Sequence, residues 1–162
     1  MKSEAEIRLA VELYADTARR VCFLHLKNHG DVEDVFQETF LKYALRDEPF
    51  ASREHEKAWL IRVAVNNCKD AAKSFFRRRV SSLTELEAEP FFDLPVENRD
   101  VLDAVLALPE KYRDAVYLFY YEGYSAPEIA ELLGRSENTV YTWLARAKAR
   151  LRDALGGDFA DE

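Results

Sequence analysis

The stretch that decides the fold is residues 125–155, SAPEIAELLGRSENTVYTWLARAKARLRDAL, which reads as two helices separated by a tight turn. Ser125 and Glu128 have the spacing of a capping box, so a helix is predicted to begin there. Gly134 is placed to end that helix, and Ser136 is placed to cap the next one. A short capped helix, a glycine turn and a longer helix are typical of a helix-turn-helix.

The second predicted helix has two different faces. One face carries apolar residues at helical spacing, namely Val140, Leu144 and Leu151, and this spacing favours burial. The other face is polar and basic, with Asn138, Thr139, Tyr141, Thr142, Arg146, Lys148 and Arg150. Because a helix-turn-helix inserts its second helix into the major groove, this face predicts DNA binding. Capped amphipathic hairpins also occur in other helical proteins, so the pattern alone leaves that alternative open.

Composition limits the remaining possibilities. The chain has 162 residues, 48% of them hydrophobic, enough for one moderate core or two small ones. It has no long apolar run and no signal-like start, which predicts a cytosolic protein without membrane insertion. Cys22 and Cys68 lie in apolar helical patterns and are predicted to be reduced core thiols. Because His25, His29 and His55 lack ligand spacing with them, we predict neither a metal site nor a cofactor.

The net charge of -7 is unevenly distributed along the chain. Residues 1–80 carry 15 basic and 13 acidic side chains, and residues 101–155 carry 7 and 8. Residues 81–100 carry 1 basic and 6 acidic side chains, and residues 156–162 carry 0 and 3. The two segments with folding patterns are therefore nearly neutral. Since phosphate contacts supply most non-specific affinity for DNA, we expect a partner that contributes its own basic surface.

Two helices are predicted near the N-terminus. Ser3 and Glu6 form a second capping-box pattern, Gly30 is predicted to end the first helix, and Asp31 is predicted to cap the next. In the second helix, six residues are predicted to pack inward: Val32, Val35, Phe36, Thr39, Phe40 and Tyr43. A different face of that helix carries Asp34, Gln37, Glu38 and Leu41. A leucine beside carboxylates suggests a docking surface, although an ordinary solvated face explains it too.

A third helix is predicted to begin near Glu54, after a loop that contains the aromatic Phe50. Its polar side carries Arg62, Asn66, Lys69 and Lys73, three or four residues apart. Basic and amide side chains near aromatics are typical of surfaces that bind single-stranded nucleic acid. A basic helix end that is favoured by the helix dipole is the alternative interpretation.

The middle of the chain loses its helical periodicity and becomes acidic, which predicts a flexible linker. Beyond it, Asp100 is predicted to cap a short helix, and a further helix is predicted to bury Val116, Leu118, Phe119 and Tyr120. The predicted fold is therefore all-α, with two small helical domains joined by an acidic flexible linker, the second domain being the helix-turn-helix. The predicted boundaries are 1–80, 81–100 for the linker, 101–155, and 156–162 for an acidic tail.

Three motifs together resemble the extracytoplasmic-function (ECF) class of bacterial RNA polymerase sigma factors. They are DVEDVFQETFLKY at 31–43, AWLIRVAVN at 58–66, and LPEKYRDAVYLFYYEGYSAPEIAELLGRSENTVYTWLARAKARL at 108–151. The first resembles the polymerase-docking helix of that family, and the last resembles its promoter-reading C-terminal domain. On this likeness, residues 1–80 correspond to sigma region 2 and residues 101–155 to sigma region 4.

The resemblance implies that the chain is not an enzyme and that its partners are core RNA polymerase and promoter DNA, with an anti-sigma factor as a candidate. It assigns contact with the polymerase to Asp34, Gln37, Glu38 and Leu41. It implies that Phe50, Ser52 and Asn66 bind an extruded base of the minus-ten element. It implies that Arg62, Lys69 and Lys73 bind the phosphates of that element. It assigns the minus-thirty-five element to Tyr141, Thr142 and Arg146, with Ser136, Asn138, Thr139 and Lys148 nearby.

One departure from the family pattern concerns DNA binding directly. After the threonine–valine pair the family commonly has a basic–serine–basic triplet, whereas this chain has Tyr141, Thr142 and Trp143. The loss of two cations predicts weaker recognition of the minus-thirty-five element. Burial of Trp143 is the alternative use of that position.

Three other functions compete with the sigma-factor interpretation. An autonomous helix-turn-helix regulator would need a dimer interface and a basic domain, and residues 101–155 are not basic. A DNA-processing enzyme such as a recombinase would need an activated nucleophile or a carboxylate cluster for metal, and the sequence suggests neither. A helical adaptor that does not bind DNA would leave the polar face between Asn138 and Arg150 without a use.

Overall fold

The computed structural model describes residues 1–79 and 99–156, and over residues 72–79 it describes the backbone alone. Within these residues the chain forms seven α-helices and no strand, so the predicted all-α class is confirmed. The chain divides into two compact units, Met1–Phe91 and Phe92–Glu162.

The first unit is built from three helices that pack against one another: α1 (Glu4–His25), α2 (His29–Leu45) and α3 (Arg53–Arg79). The six inward residues predicted for α2 are all buried. Three of them, Phe36, Phe40 and Tyr43, pack in one cluster with buried residues of the other two helices, namely Ala10, Tyr14, Ala18 and Leu60. Cys22 and Cys68 are buried in this unit and are not joined in a disulfide, as predicted.

The boundary between α1 and α2 differs from the prediction. Helix α1 ends at His25, and Gly30 lies in the first turn of α2. The cap of α2 is Asn28, whose Oδ1 accepts the backbone N–H of Asp31 at 2.8 Å. Because the first backbone N–H groups of a helix have no partner within the helix, an Asx side chain placed three residues ahead satisfies one of them. The backbone N–H of Asp31 is therefore the donor of the capping bond, and Asn28, not Asp31, is the capping residue.

Buried hydrogen bonds hold α3 against α2. The Asn67 amide accepts Lys42 Nζ at 2.6 Å through Oδ1 and donates to Thr39 Oγ1 at 3.2 Å through Nδ2. Nearer the start of α3, the Glu56 carboxylate accepts the Tyr43 hydroxyl at 2.9 Å. Burial, and then this hydrogen bond, raise the pKa of the Tyr43 phenol, so that Tyr43 remains a donor. These paired polar groups fix the position of α3 along α2, because an unpaired buried group is costly.

The second unit contains α4 (Arg99–Leu106), α5 (Glu110–Val116), α6 (Ala126–Leu133) and α7 (Glu137–Leu155). Helix α7 packs against the other three, and Ile129 and Val140 are fully buried between α6 and α7. Because α4 begins at Arg99, the last two residues of the predicted linker are helical, and Asp100 lies in the first turn of α4. The rest of the predicted linker, 81–98, and the predicted tail from residue 157 lie outside the described residues.

The predicted helix-turn-helix is confirmed in its local geometry. Ser125 and Glu128 form the capping box, and Gly134 adopts φ 66°, in the left-handed region that favours glycine. The Ser136 side chain accepts the backbone N–H of Thr139 at 3.1 Å and so caps α7. The turn between the two helices therefore follows from residues that act locally.

Helix α5 continues into a π-helical turn, Tyr117–Tyr121, and this turn contradicts part of the predicted core. Val116 and Leu118 are buried as predicted, but Phe119 and Tyr120 are 38% and 37% exposed. A π-helix bonds each residue to the fifth one along, so its side chains turn through a smaller angle per residue than those of an α-helix. The prediction extended α-helical spacing through the turn and assigned the two aromatics to the wrong face.

The capping box of α6 gives a prediction about pH. Ser125 donates its backbone N–H to Glu128 Oε1 at 2.9 Å, and this bond, with a further one from the Ser125 side chain, lowers the pKa of Glu128. A carboxyl group whose pKa is lowered by folding stabilises the fold above its unfolded pKa, and this contribution is lost as the pH falls through the folded pKa. We expect Glu128→Gln to lower the urea midpoint of the second unit at pH 7, with a difference that shrinks below about pH 4.

The matched control is Glu131→Gln, an exposed position in the same helix. The effect is measured by urea unfolding of each variant at pH 7 and below about pH 4, with circular dichroism as the signal. A deficit of Glu128→Gln that is equal at both pH values would contradict a role for the ionised carboxylate.

Candidate functional site

The exposed face of α2 brings together the four residues predicted to dock the polymerase. Asp34, Gln37, Glu38 and Leu41 follow one another at i, i+3, i+4 and i+7, and all four are exposed. Leu41 is 59% exposed, a large fraction for a leucine on a folded helix. The core-facing residues of α2 lie on the opposite side, so this face is not needed to hold the helix in place.

Sequence reasoning missed one apolar member of this face. Leu45 lies one turn beyond Leu41 and is also 59% exposed, so that two leucines stand beside the carboxylates. The spacing of four residues between Leu41 and Leu45 is the feature of the sequence that indicates that both lie on this face. We call Asp34, Gln37, Glu38, Leu41 and Leu45 the α2 face. Its mixture of exposed apolar and acidic side chains suits a partner with a basic and apolar surface.

The loop between α2 and α3 is organised around Phe50, which is half-buried. Its ring is stacked on Tyr43 at 6.0 Å and meets the edge of Trp59 at 5.6 Å. Arg46 Cζ lies 4.6 Å and Lys2 Nζ 5.2 Å from the same ring centroid, within the range of a cation–π contact. Phe50 therefore anchors the loop and also carries two cations that the sequence did not indicate.

Ser52 acts locally, at the start of α3. Its Oγ accepts the backbone N–H of His55 at 3.2 Å and lies 3.1 Å from His55 Nδ1. The side chain is exposed, so a polar atom next to Phe50 still faces the outside of the unit.

The polar side of α3 places three of its four predicted residues on one exposed face. Arg62, Asn66 and Lys69 lie at i, i+4 and i+7, and each is exposed. Lys73 lies on the same helix, but its side chain is outside the described residues. The neighbouring Asn67 is buried and has a hydrogen-bond partner at both its amide oxygen and its amide nitrogen, so the two adjacent asparagines have different environments.

The exposed face of α7 contains Asn138, Tyr141, Thr142 and Arg146, and Tyr141 is 55% exposed. Ser136 and Thr139 bond to each other in the helix cap, at 2.8 Å between their hydroxyls. Lys148 is half-buried, so it is less available than Arg146. Trp143 is half-buried as well and packs on a core cluster formed by Leu108, Tyr112, Val116, Ala147 and Leu151.

Two further properties concern the residues that the structure describes. Among them, no group of three or more His, Cys, Asp or Glu side chains is arranged to hold a metal ion. None of their helices combines the length and the apolar character needed to span a bilayer.

Each of the two units matches a family model. Residues 10–80 match the family described as Sigma-70 region 2, and residues 98–151 match Sigma-70, region 4. The chain is 32% identical over 161 residues to the ECF RNA polymerase sigma factor SigL of Mycobacterium tuberculosis, with 93% of this chain and 91% of that protein covered. The chain belongs to the ECF RNA polymerase sigma factors. In this sigma factor, the α2 face and the polar side of α3 lie in region 2, and α6 and α7 lie in region 4.

Other relatives agree with this assignment. The sigma factor is 26% identical to SigW of Bacillus subtilis, with 90% of this chain and 86% of that protein covered. Among solved structures, RpoE of Bartonella quintana aligns with a TM-score of 0.76 at 23% identity, over 94% of this chain and 98% of that one. CnrH aligns with a TM-score of 0.62 at 24% identity, over 99% and 92%. These two structures support the fold.

Proposed function

We propose that this sigma factor binds core RNA polymerase through the α2 face and directs it to promoters through α3 and α7. The observation that carries the proposal is the presence of regions 2 and 4 in order on one chain, each with an exposed face suited to its partner. On this proposal the chain is a transcription initiation factor and not an enzyme, and it acts in the cytoplasm, where promoter DNA is found.

Contact with the polymerase is assigned to the α2 face because its apolar and acidic side chains are suited to a protein partner and are exposed. Leu41 and Leu45 supply apolar area toward the C-terminal end of α2, and Asp34 and Glu38 supply charges that steer and orient a basic partner. Glu38 lies 3.6 Å from Lys42, and both side chains are about half exposed, so this pair is readily exchanged for a partner's cation. Residues on this face do not contribute to the core, which leaves them free to serve an interface.

Minus-ten recognition is assigned to Phe50, Ser52 and Asn66. An extruded base needs an aromatic or polar pocket for its edge and cations for its phosphates. Phe50 is a half-buried aromatic of the loop that precedes α3, and Asn66 is an exposed amide on α3. Arg62, Lys69 and Lys73 are assigned to the phosphates, and Arg46 joins them because its guanidinium lies over Phe50.

Minus-thirty-five recognition is assigned to the exposed face of α7. Tyr141, Thr142 and Arg146 would reach base edges, with Asn138 beside them and with Ser136 and Thr139 at the helix start near a phosphate. The half-buried Lys148 is assigned a phosphate at the margin of this face. An anti-sigma factor is a candidate partner, since the RpoE structure contains the anti-sigma factor NepR and the CnrH structure contains the cytosolic domain of CnrY.

The proposed function is tested with the purified chain and core RNA polymerase. We expect the chain to be retained by immobilised core polymerase and to start transcription at discrete sites on a library of genomic fragments. Core polymerase without the chain provides the control. If the chain is not retained, or if start sites are unchanged by its addition, the proposal is wrong and an autonomous regulator or an adaptor takes its place.

The assignment of Asn66 and Lys69 predicts two different kinds of loss. Asn66→Ala is expected to change the preference for one base of the minus-ten element by about 1–3 kcal/mol, because a side-chain amide reads a base edge. Lys69→Ala is expected to weaken every sequence alike, because a phosphate contact carries no sequence information. Transcription from single-base variants of one promoter measures both effects. Equal losses on every variant for both substitutions would contradict the distinction.

A further inference from the structure

Trp143 brings together two cations from different parts of region 4. Lys111 Nζ of α5 lies 5.9 Å from the centroid of the Trp143 ring, and Arg135 Cζ of the turn lies 5.8 Å from it. Both distances are within the range in which a ring face attracts a cation. The indole is held in place because it packs on the core cluster of this unit. Trp143 stands where the family pattern commonly has a cation, and it holds two other cations, Lys111 and Arg135, beside α7.

Tyr112 extends this arrangement along the helix. Lys111 Nζ lies 5.4 Å and Arg150 Cζ 5.6 Å from its ring centroid. Tyr112 is buried and belongs to the core cluster on which Trp143 packs. The two rings therefore attract three cations from α5, the turn and α7 to one margin of the unit.

Arg146 lies on the same margin by helical geometry. Trp143, Arg146 and Arg150 follow at i, i+3 and i+7 on α7 and share one side of the helix. Arg135 directly precedes the cap of α7, so its charge lies at the start of the helix. We call Lys111, Arg135, Arg146 and Arg150 the basic ridge.

The basic ridge makes the charge of region 4 asymmetric. Residues 101–155 contain seven cations, of which four form the ridge; the others are Arg113, Lys148 and Arg152. Within residues 1–79 and 99–156, no ion pair engages any of the four ridge cations. A unit with nearly balanced total charge therefore presents unneutralised positive charge along one side of its recognition helix.

We propose that Lys111, Arg135 and Arg150 of the basic ridge bind the phosphates of one DNA strand beside the minus-thirty-five element, next to the base-reading Arg146, and that Trp143 is a positioning residue for Arg135 and Lys111. This rests on the proposed function, since it takes DNA to be the partner of α7. The major groove is about as wide as a helix with its side chains, so a helix in the groove has a phosphate backbone along each margin. Cations already held over a ring lose less freedom when they bind.

The first test uses the full-length chain and a fluorescently labelled 30-base-pair duplex of arbitrary sequence. Binding is followed by anisotropy over a range of salt from about 20 to 200 mM, because counterion release makes phosphate contacts visible as a salt slope. Arg135→Ala and Lys111→Ala are each expected to reduce the slope by about 1 and to weaken binding roughly fivefold to tenfold near 0.1 M salt. Arg152→Ala, a cation of the same helix outside the ridge, is the control and is expected to retain the slope.

The second test separates positioning from packing at Trp143. Trp143→Leu keeps an apolar side chain but removes the ring faces, and we expect it to weaken binding about threefold. Trp143→Phe keeps a ring and is expected to restore most of this loss. In the Arg135→Ala, Lys111→Ala background, Trp143→Leu is expected to cost nothing further. An equal cost in both backgrounds means that Trp143 acts only through packing, and it overturns the positioning role.

The outcomes distinguish this proposal from the proposed function. If the unsubstituted chain starts promoter-dependent transcription while Arg135→Ala and Lys111→Ala keep its affinity and salt slope, the ridge assignment is wrong and the sigma-factor function stands. If the chain fails to bind core polymerase but the substitutions still reduce the slope, the ridge stands and the proposed function fails. A full-length chain that does not bind the duplex even at about 20 mM salt overturns the ridge assignment.

Discussion

Asp34→Arg combined with Leu41→Asp is expected to reduce the affinity for core RNA polymerase by at least about 100-fold. The first change reverses a charge that faces a basic partner, and the second places a carboxylate where apolar area would be buried. Because both side chains are exposed and lie away from the core, the melting temperature of the first unit should change little. Titration of labelled chain with core polymerase and calorimetry of the free chain measure the two effects.

The matched control is Glu12→Arg combined with Leu13→Asp, which makes the same kind of change at exposed positions of α1. It should leave polymerase affinity near that of the unsubstituted chain. Retained binding by the α2 variant would remove the docking assignment. Equal loss by both variants would mean that net charge, and not the α2 face, governs the interaction.

Ile129→Ala is expected to unfold region 4 while region 2 stays folded and bound to the polymerase. Ile129 has 0% of its surface exposed, and truncation of such a residue typically costs about 2–5 kcal/mol because a cavity remains. A unit of roughly 60 residues has a small core and little stability to lose. We expect loss of DNA binding by α7, with polymerase retention unchanged.

Amide hydrogen exchange, compared between the units, measures this effect residue by residue. Glu131→Ala, an exposed position of the same helix, is the control and should leave both units protected. Loss of protection in both units of the Ile129→Ala variant would contradict independent folding. Full protection of α6 and α7 would contradict the burial argument.

The elements that were predicted correctly are those set by nearby residues. The capping boxes at Ser3 and Ser125 involve partners three residues away, so the pattern in the sequence and the bonds in the structure are the same. The exposed and buried sides of α2 follow from helical spacing alone. The α2 face was therefore predictable as a surface, and its partner came from the resemblance to a family.

The predictions were wrong where two nearby residues could both cap a helix, or where residues distant in sequence determine a helix boundary or a contact. Asn28 and Asp31 are both suitable caps, and the choice depends on where α1 ends against the core. The π-helical turn after α5 changes the facing of Phe119, and α-helical spacing contains no sign of it. The cations around Trp143 come from α5 and from the turn, so their meeting depends on tertiary packing.

The chain contains two tryptophans, Trp59 beside the Phe50 loop in the first unit and Trp143 beside the basic ridge in the second. Each half of the molecule therefore has its own intrinsic fluorophore, next to the surface assigned to one promoter element. Trp59→Phe leaves emission from region 4 alone, and Trp143→Phe leaves emission from region 2 alone. Stopped-flow mixing of each free variant with duplex DNA, with excitation selective for tryptophan, would then report on each unit separately, without any attached dye.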